Sequence, residues 1–305
     1  FLAGRYSCHG TNGYLLMKQY KKLITPYVLF LFLLTVLPMV LNVFYAFTQK
    51  ASAIKTFEFT FANFAKFFDP IFVKVLIKSF GLGLLTTFIC LLIGYPVAFM
   101  ISKCKQHTQT ILIMLITIPT WINLLMRTYA WVSILSRNGI LNNILGMLGL
   151  GSFRMLYTDG AVAIGMIYNF LPFMILPIHT SLTNMDPSLV EAAYDLGANK
   201  ITAFFKITFK LSLGGVLTGI TMVFLPAISE FVIPKMLGGG QYSLIGNFIE
   251  NQFITVGNWH FGSAVSLILG VIVIISMALI YRAEKKTNNE IEQGGLTNAK
   301  RKKAQ

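Results

Sequence analysis

The sequence has 305 residues, of which 55% are hydrophobic and only 12% are charged. Soluble domains average about 25% charged residues, so this composition excludes a soluble enzyme or a soluble binding domain. The formal net charge of +14 does not indicate nucleic-acid binding, because no compact basic domain with interleaved aromatic residues accompanies it.

The N-terminal residues 1–16 differ from the rest of the chain. They mix Gly, Asn and Ser without periodicity, whereas Met17 followed by a lysine-rich stretch is typical of the start of a membrane protein. We therefore expect residues 1–16 to be a leader or an upstream extension, outside the folded domain.

Six apolar runs between residues 17 and 282 are long enough to cross a membrane, since about 20 helical residues span the roughly 30 Å hydrocarbon core. A lone strand would leave its backbone groups unsatisfied in lipid, so all six runs are predicted to be helices. The predicted fold is all-α, an integral membrane protein with six transmembrane helices. The predicted spans are 23–48, 79–102, 108–126 or slightly beyond, 160–185, 211–229 and 261–281.

Basic residues predict the orientation of these spans. Lys18, Lys21 and Lys22 directly precede the first span, and most of the 25 Lys and Arg fall on the side that this assigns to the cytosol. Both termini are then cytosolic. Residues 283–305 form a basic tail, which we expect to be solvated and attracted to anionic lipid.

No pattern of catalytic or metal-binding residues is present. The three cysteines lie in different segments, the four histidines are scattered, and no Gly-rich phosphate-binding motif occurs. We expect no catalytic residue, no metal and no cofactor, and any ATP hydrolysis should belong to a separate chain.

The segment "EAAYDLGANK", residues 191–200, is predicted to be cytosolic, between the fourth and fifth spans. Asp186 and Pro187 are suited to start a helix, and Gly197 is suited to end it in a left-handed conformation. A second short helix should follow. The alanines would allow close approach of another protein, but a helical elbow lying on the lipid surface explains the pattern equally well.

This segment resembles the EAA loop of ABC-importer permeases, here residues 186–208. The residues that carry the resemblance are Glu191, Ala192, Ala193, Leu196, Gly197, Ala198, Phe204 and Ile207. The resemblance implies a coupling helix that docks into a groove on a cytosolic ATPase, with the first five of these residues carrying the coupling. One position departs from the family, since Lys210 stands where the family usually has proline.

A narrower resemblance covers roughly residues 20–282 and points to permeases of spermidine/putrescine importers. Its segments are "LIGYPVAFMIS" (92–102), "YNFLPFMILPIHTSL" (168–182), "FLPAISEFVIPKMLGGG" (224–240), "LIGNFIENQF" (244–253) and "NWHFGSA" (258–264). The resemblance implies a multi-pass protein of the bacterial inner membrane that forms half of a polyamine pathway. It also implies three kinds of partner: an ATPase dimer, a second related permease and an extracytoplasmic polyamine-binding protein.

Two other functions stay open at this point. The substrate could be thiamine, iron or an oxyanion, because the binding protein largely selects it. A channel or a secondary carrier is disfavoured, because an EAA-type elbow has no use without an ATPase.

Pathway candidates follow from the cost of placing an acid near the membrane interior, where it usually faces a cavity or a partner. A cationic substrate would be such a partner, and aromatic or amide side chains could add cation–π or polar contacts. The candidates are Glu230, Asp159, Trp121, Tyr168 and Asn169. The alternative is that Glu230 pairs with Lys235 or Arg127 and only holds the fold.

Overall fold

The computed structural model describes residues 10–50, 57–240 and 242–303. Most of the predicted leader, residues 1–9, lies outside the described residues. Residues 10–16 are helical, because the first helix already begins at Gly10.

Thirteen α-helices and one two-stranded sheet make up the described chain. In order they are α1 Gly10–Ala46, β1 Thr48–Lys50, β2 Phe57–Phe59, α2 Ala62–Ala65, α3 Pro70–Ser102, α4 Gln106–Trp121, α5 Leu124–Leu135, α6 Ile140–Met147, α7 Asp159–Thr183, α8 Ser188–Asp195, α9 Lys200–Ala203, α10 Phe209–Ser229, α11 Val232–Leu237, α12 Ile245–Ile254 and α13 Trp259–Lys303. The membrane segments are therefore helical, as predicted, apart from the break between α4 and α5. The basic tail continues α13 as helix up to Lys303.

Five helices of the described chain are long and apolar enough to cross a membrane, by length and composition. The third predicted span, 108–126, corresponds to a bent pair of helices, Gln106–Trp121 followed by Leu124–Met147, with 93° between the two parts. Residues up to Met126 and beyond belong to this pair, but the helix is not continuous, because it is interrupted between Trp121 and Leu124. Ile122 is extended at ψ 139°, and the Asn123 side chain accepts the Leu125 N–H at 2.8 Å and starts a new helix.

The chain divides into two compact units, Phe1–Lys66 with Asn258–Leu267, and Phe67–Gly257 with Ile268–Gln305. In the first unit, β1 and β2 pair antiparallel with Thr48 opposite Phe59. The Asn63 amide donates to the carbonyls of Ala46 and Thr48, at 3.2 and 2.9 Å, and ties the hairpin to the end of α1.

The core of the second unit is formed by α3, α7 and α10. Its largest fully buried side chains include Met166, Met174 and Ile178, all on α7. The crossing of α10 and α7 is close, because a Cβ at Gly215 would lie only 2.6 Å from the Pro177 carbonyl oxygen. Glycine permits that approach, and the three helices form a packed bundle whose two ends carry the candidate sites.

Candidate functional site

The elbow, defined as residues 184–208, connects α7 to α10 at one end of the bundle. Asp186 accepts the Ser188 N–H at 3.0 Å, so the acid predicted to start the first helix does so, and Pro187 immediately precedes α8. Gly197 ends this part at φ +81°, the left-handed conformation predicted for it. Asn199 then accepts the Thr202 N–H at 2.7 Å and starts α9.

The EAA residues of α8 divide between two faces. Ala193 is 6% exposed and packs within the chain, whereas Leu196 is 89% exposed. Glu191 and Ala192 are also exposed. The small face of α8 is thus used inside the subunit, and an acid, an alanine and one large apolar side chain remain for a partner.

The exit of the elbow differs from the prediction. The second short helix does not stand alone, because α9 continues through one π-helical turn, Phe204–Thr208, directly into α10. Lys200–Ser229 is therefore a single helical rod of 30 residues, and the fifth span begins well before residue 211. The amphipathic pattern around Phe204 reflects contact with α3, where the Phe204 ring lies 5.2 Å from that of Phe99.

A groove of about 340 Å³ lies between the end of α3 and the elbow. Phe99 and Lys103 line its α3 side, and Tyr194, Lys200 and Phe204 line its elbow side. The elbow thus contacts the end of α3 across an open, partly polar groove.

At the opposite end of the bundle, Glu230 follows α10. Its carboxylate accepts the backbone N–H groups of Val232 and Ile233, at 2.9 and 3.4 Å, and so caps α11. Lys235 forms an ion pair with Glu250. The alternative that Glu230 pairs with Lys235 was therefore wrong, and no ion pair joins Glu230 to Arg127 in the described part of the chain.

Asp159 lies at the start of α7 and forms a cluster with two residues that the sequence did not single out. Its carboxylate accepts from Lys78 Nζ at 3.1 Å and from the Tyr242 hydroxyl. Lys78 Nζ also lies 3.9 Å from the centre of the Tyr242 ring. Burial and the hydrogen bond to the Asp159 carboxylate raise the pKa of Tyr242, so its hydroxyl stays protonated.

The remaining candidates separate in the structure. Tyr168 and Asn169 line one narrow cleft together with Arg127 and Trp131, and the rings of Trp131 and Tyr168 meet edge to face at 5.4 Å. Trp121 does not line this cleft and is 76% exposed at the end of α4. Trp131 was missed in the sequence, where nothing distinguishes it from a lipid-facing tryptophan.

The described side chains contain no group of three or more His, Cys, Asp or Glu placed to hold a metal ion. Cys90 is buried in α3 and Cys104 is half-buried just after it.

Residues 13–288 match the family described as binding-protein-dependent transport system inner membrane component. The spermidine/putrescine transport system permease protein PotB of Haemophilus influenzae is 40% identical over 247 residues, which are 80% of this chain and 86% of that protein. The PotB protein of Escherichia coli K12 is 35% identical over 267 residues, covering 87% and 96% of the two chains.

A similar fold is found in a solved bacterial alginate ABC transporter in complex with an alginate pentasaccharide-bound periplasmic protein. The TM-score is 0.69 with 16% sequence identity, and the match covers 88% of this chain and 96% of that one. At this identity the likeness concerns the fold alone.

Proposed function

Because the chain belongs to the family of binding-protein-dependent transport system inner membrane components, we propose that it is the permease subunit of an ATP-driven polyamine importer. The observation that carries the proposal is the 35–40% identity to spermidine/putrescine permeases over most of both chains. Glu230 and Asp159, at the same end of the bundle, offer carboxylates to a cationic substrate.

The partners follow from the two ends of the bundle. A cytosolic ATPase dimer would bind the elbow through the exposed residues of α8. An extracytoplasmic binding protein would deliver the polyamine at the opposite end, near Asp159 and Glu230. A second, related permease would complete the pathway, lipid would cover the apolar surface, and both termini would be cytosolic.

The coupling mechanism rests on α10 as a continuous rod. ATP binding closes the ATPase dimer, and this closure moves the elbow together with the Lys200–Ser229 helix that begins in it. A ligand shifts such an equilibrium only through its different affinities for the inward-facing and outward-facing states. Closing the dimer would supply that difference, and Glu230, directly after the rod, would experience the movement at the substrate end.

The test is uptake of labelled spermidine and putrescine into proteoliposomes that hold the chain, its ATPase, the second permease and the loaded binding protein. We expect uptake only with hydrolysable ATP. ATP-driven uptake of thiamine, iron or an oxyanion in place of polyamines would assign a different cargo. Uptake by the chain without the ATPase would instead indicate a carrier or a channel.

A further inference from the structure

Lys78, Asp159 and Tyr242 bring a carboxylate, an aromatic face and a primary ammonium together. The ammonium nitrogen lies 3.1 Å from the carboxylate oxygen and 3.9 Å from the ring centre. Carboxylate and ring are the two groups that proteins use to hold alkylammonium ions. The pair Asp159 and Tyr242 therefore already forms an ammonium site, and the chain's own lysine occupies it.

Backbone contacts hold the three side chains in place. The Ser79 hydroxyl, next to Lys78, accepts the Ile245 N–H at 2.8 Å and fixes α3 against the start of α12. The Tyr157 N–H donates to the Leu237 carbonyl at 2.9 Å, which fixes the segment before α7 against the end of α11. Both contacts join the elements that carry the site, so its geometry does not depend on the ion pair itself.

The loop that carries Tyr242 is shaped for its ring. A Cβ at Gly238 would lie 2.4 Å from the Tyr242 ring, so any residue other than glycine at position 238 would displace the ring. Tyr242 N–H donates to the Gly239 carbonyl at 3.0 Å and closes a turn beneath it. These contacts with Gly238 and Gly239 hold the Tyr242 ring in position.

The bound ammonium is free to exchange. The Lys78 and Asp159 side chains are 45% and 75% exposed, and exposed ion pairs contribute little to stability. An incoming alkylammonium ion can therefore replace the lysine at little cost. Lysine and the end of a polyamine carry the same group, a primary ammonium on a methylene chain.

We propose that Asp159 and Tyr242 form an entry subsite for one ammonium group of the substrate, and that Lys78 is a tethered competitor that occupies the subsite when it is empty. This inference rests on the proposed function, because it names the residues that receive the polyamine. Release of Lys78 on substrate entry returns its ammonium to water, so the empty subsite never holds an unpaired carboxylate.

The experiment measures ATP-driven spermidine uptake by the reconstituted complex as a function of the concentration of spermidine-loaded binding protein. We expect Asp159→Asn to raise the half-saturating concentration about fivefold, the upper range for an exposed ion pair. Lys78→Met removes the competitor and should lower this concentration by about twofold or more. Tyr242→Leu should raise it about threefold by removing the cation–π contact.

Lys74→Met is the matched control. Lys74 lies one turn before Lys78 on the same helix, is exposed, and forms no ion pair with the residues that the structure describes. It should leave the half-saturating concentration unchanged. Docking of the empty binding protein, measured by pull-down, should be equal for all four variants.

A purely structural ion pair predicts a different result. Lys78→Met and Asp159→Asn would then break the same contact and shift uptake in the same direction or not at all, and that result would overturn the subsite. If the wild-type complex takes up no polyamine, the proposed function fails first, whatever the variants do.

Discussion

Replacing Gly197 tests the left-handed joint between α8 and α9. The residue adopts φ +81°, and a Cβ built on it meets nothing within 4 Å, so the only cost of a side chain is in the backbone. For a residue other than glycine that cost is about 1–2 kcal/mol, and it is larger for a β-branched side chain. A free-energy cost of this size changes the equilibrium constant between two conformations of the elbow about 5- to 30-fold.

We expect Gly197→Val to insert and to assemble, but to lose most of the ATPase stimulation by loaded binding protein and most of the ATP-driven uptake. Gly197→Asn is the matched control. Asparagine tolerates the left-handed region far better than valine, so this variant should retain most of the coupling although it adds a polar side chain. Both variants are compared at equal amounts of assembled complex.

Two outcomes would refute the reasoning. Wild-type stimulation and uptake in Gly197→Val would show that the left-handed joint is a passive helix stop. Equal loss of coupling in the valine and asparagine variants would show that any side chain at this position obstructs a partner, so that the backbone conformation is not the cause.

Three further predictions concern the surface of the elbow, the acid after α10 and the crossing of the helices. Leu196→Asp should reduce co-purification of the ATPase, because it replaces an apolar side chain that is 89% exposed on the elbow with a charged one. An unchanged yield of the ATPase would show that the docking surface lies elsewhere. Glu230→Gln should slow spermidine uptake while assembly and basal ATPase activity stay normal. The reason is that the amide oxygen of glutamine can still cap α11 but carries no charge. Unchanged uptake kinetics would show that Glu230 has only a structural role. Gly215→Val should destabilise the subunit by about 1–3 kcal/mol and lower its melting temperature, because it forces the crossing with α7 apart. Gly81→Ala is its control, with open space at the Cβ, and equal melting temperatures for the two variants would contradict the close crossing.

The elbow was predictable because its turns depend on single residues with strong local preferences. Asp186 and Gly197 each have a conformational or capping role that needs no tertiary contact, and the structure places both at helix ends. The apolar spans were predictable for a similar reason, since length and composition alone determine whether a helix can cross a bilayer.

The bend after Trp121 was not predictable from hydropathy, because residues on both sides of it are apolar and only the Asn123 cap marks the new helix. The entry cluster was missed for another reason. Lys78 stands just before a predicted span and Tyr242 in a distant glycine-rich loop, and only tertiary packing brings them to Asp159. The faces of α8 also required the structure, since a helical pattern does not say which side Ala193 turns to the bundle.

Lys210, which stands where the family usually has proline, follows the π-helical turn Phe204–Thr208 and lies inside the continuous helix Lys200–Ser229. A proline at this position would lack the N–H that lysine donates within the helix. The π turn adds one residue and so rotates the face that α10 presents. Tyr95 on α3 holds this face of the helix in place. Its hydroxyl forms a hydrogen bond with the Ser212 hydroxyl at 2.9 Å, and its ring centre lies 5.9 Å from that of Phe204. The start of α10 is therefore packed against α3, and the left-handed joint at Gly197 lies upstream of this contact.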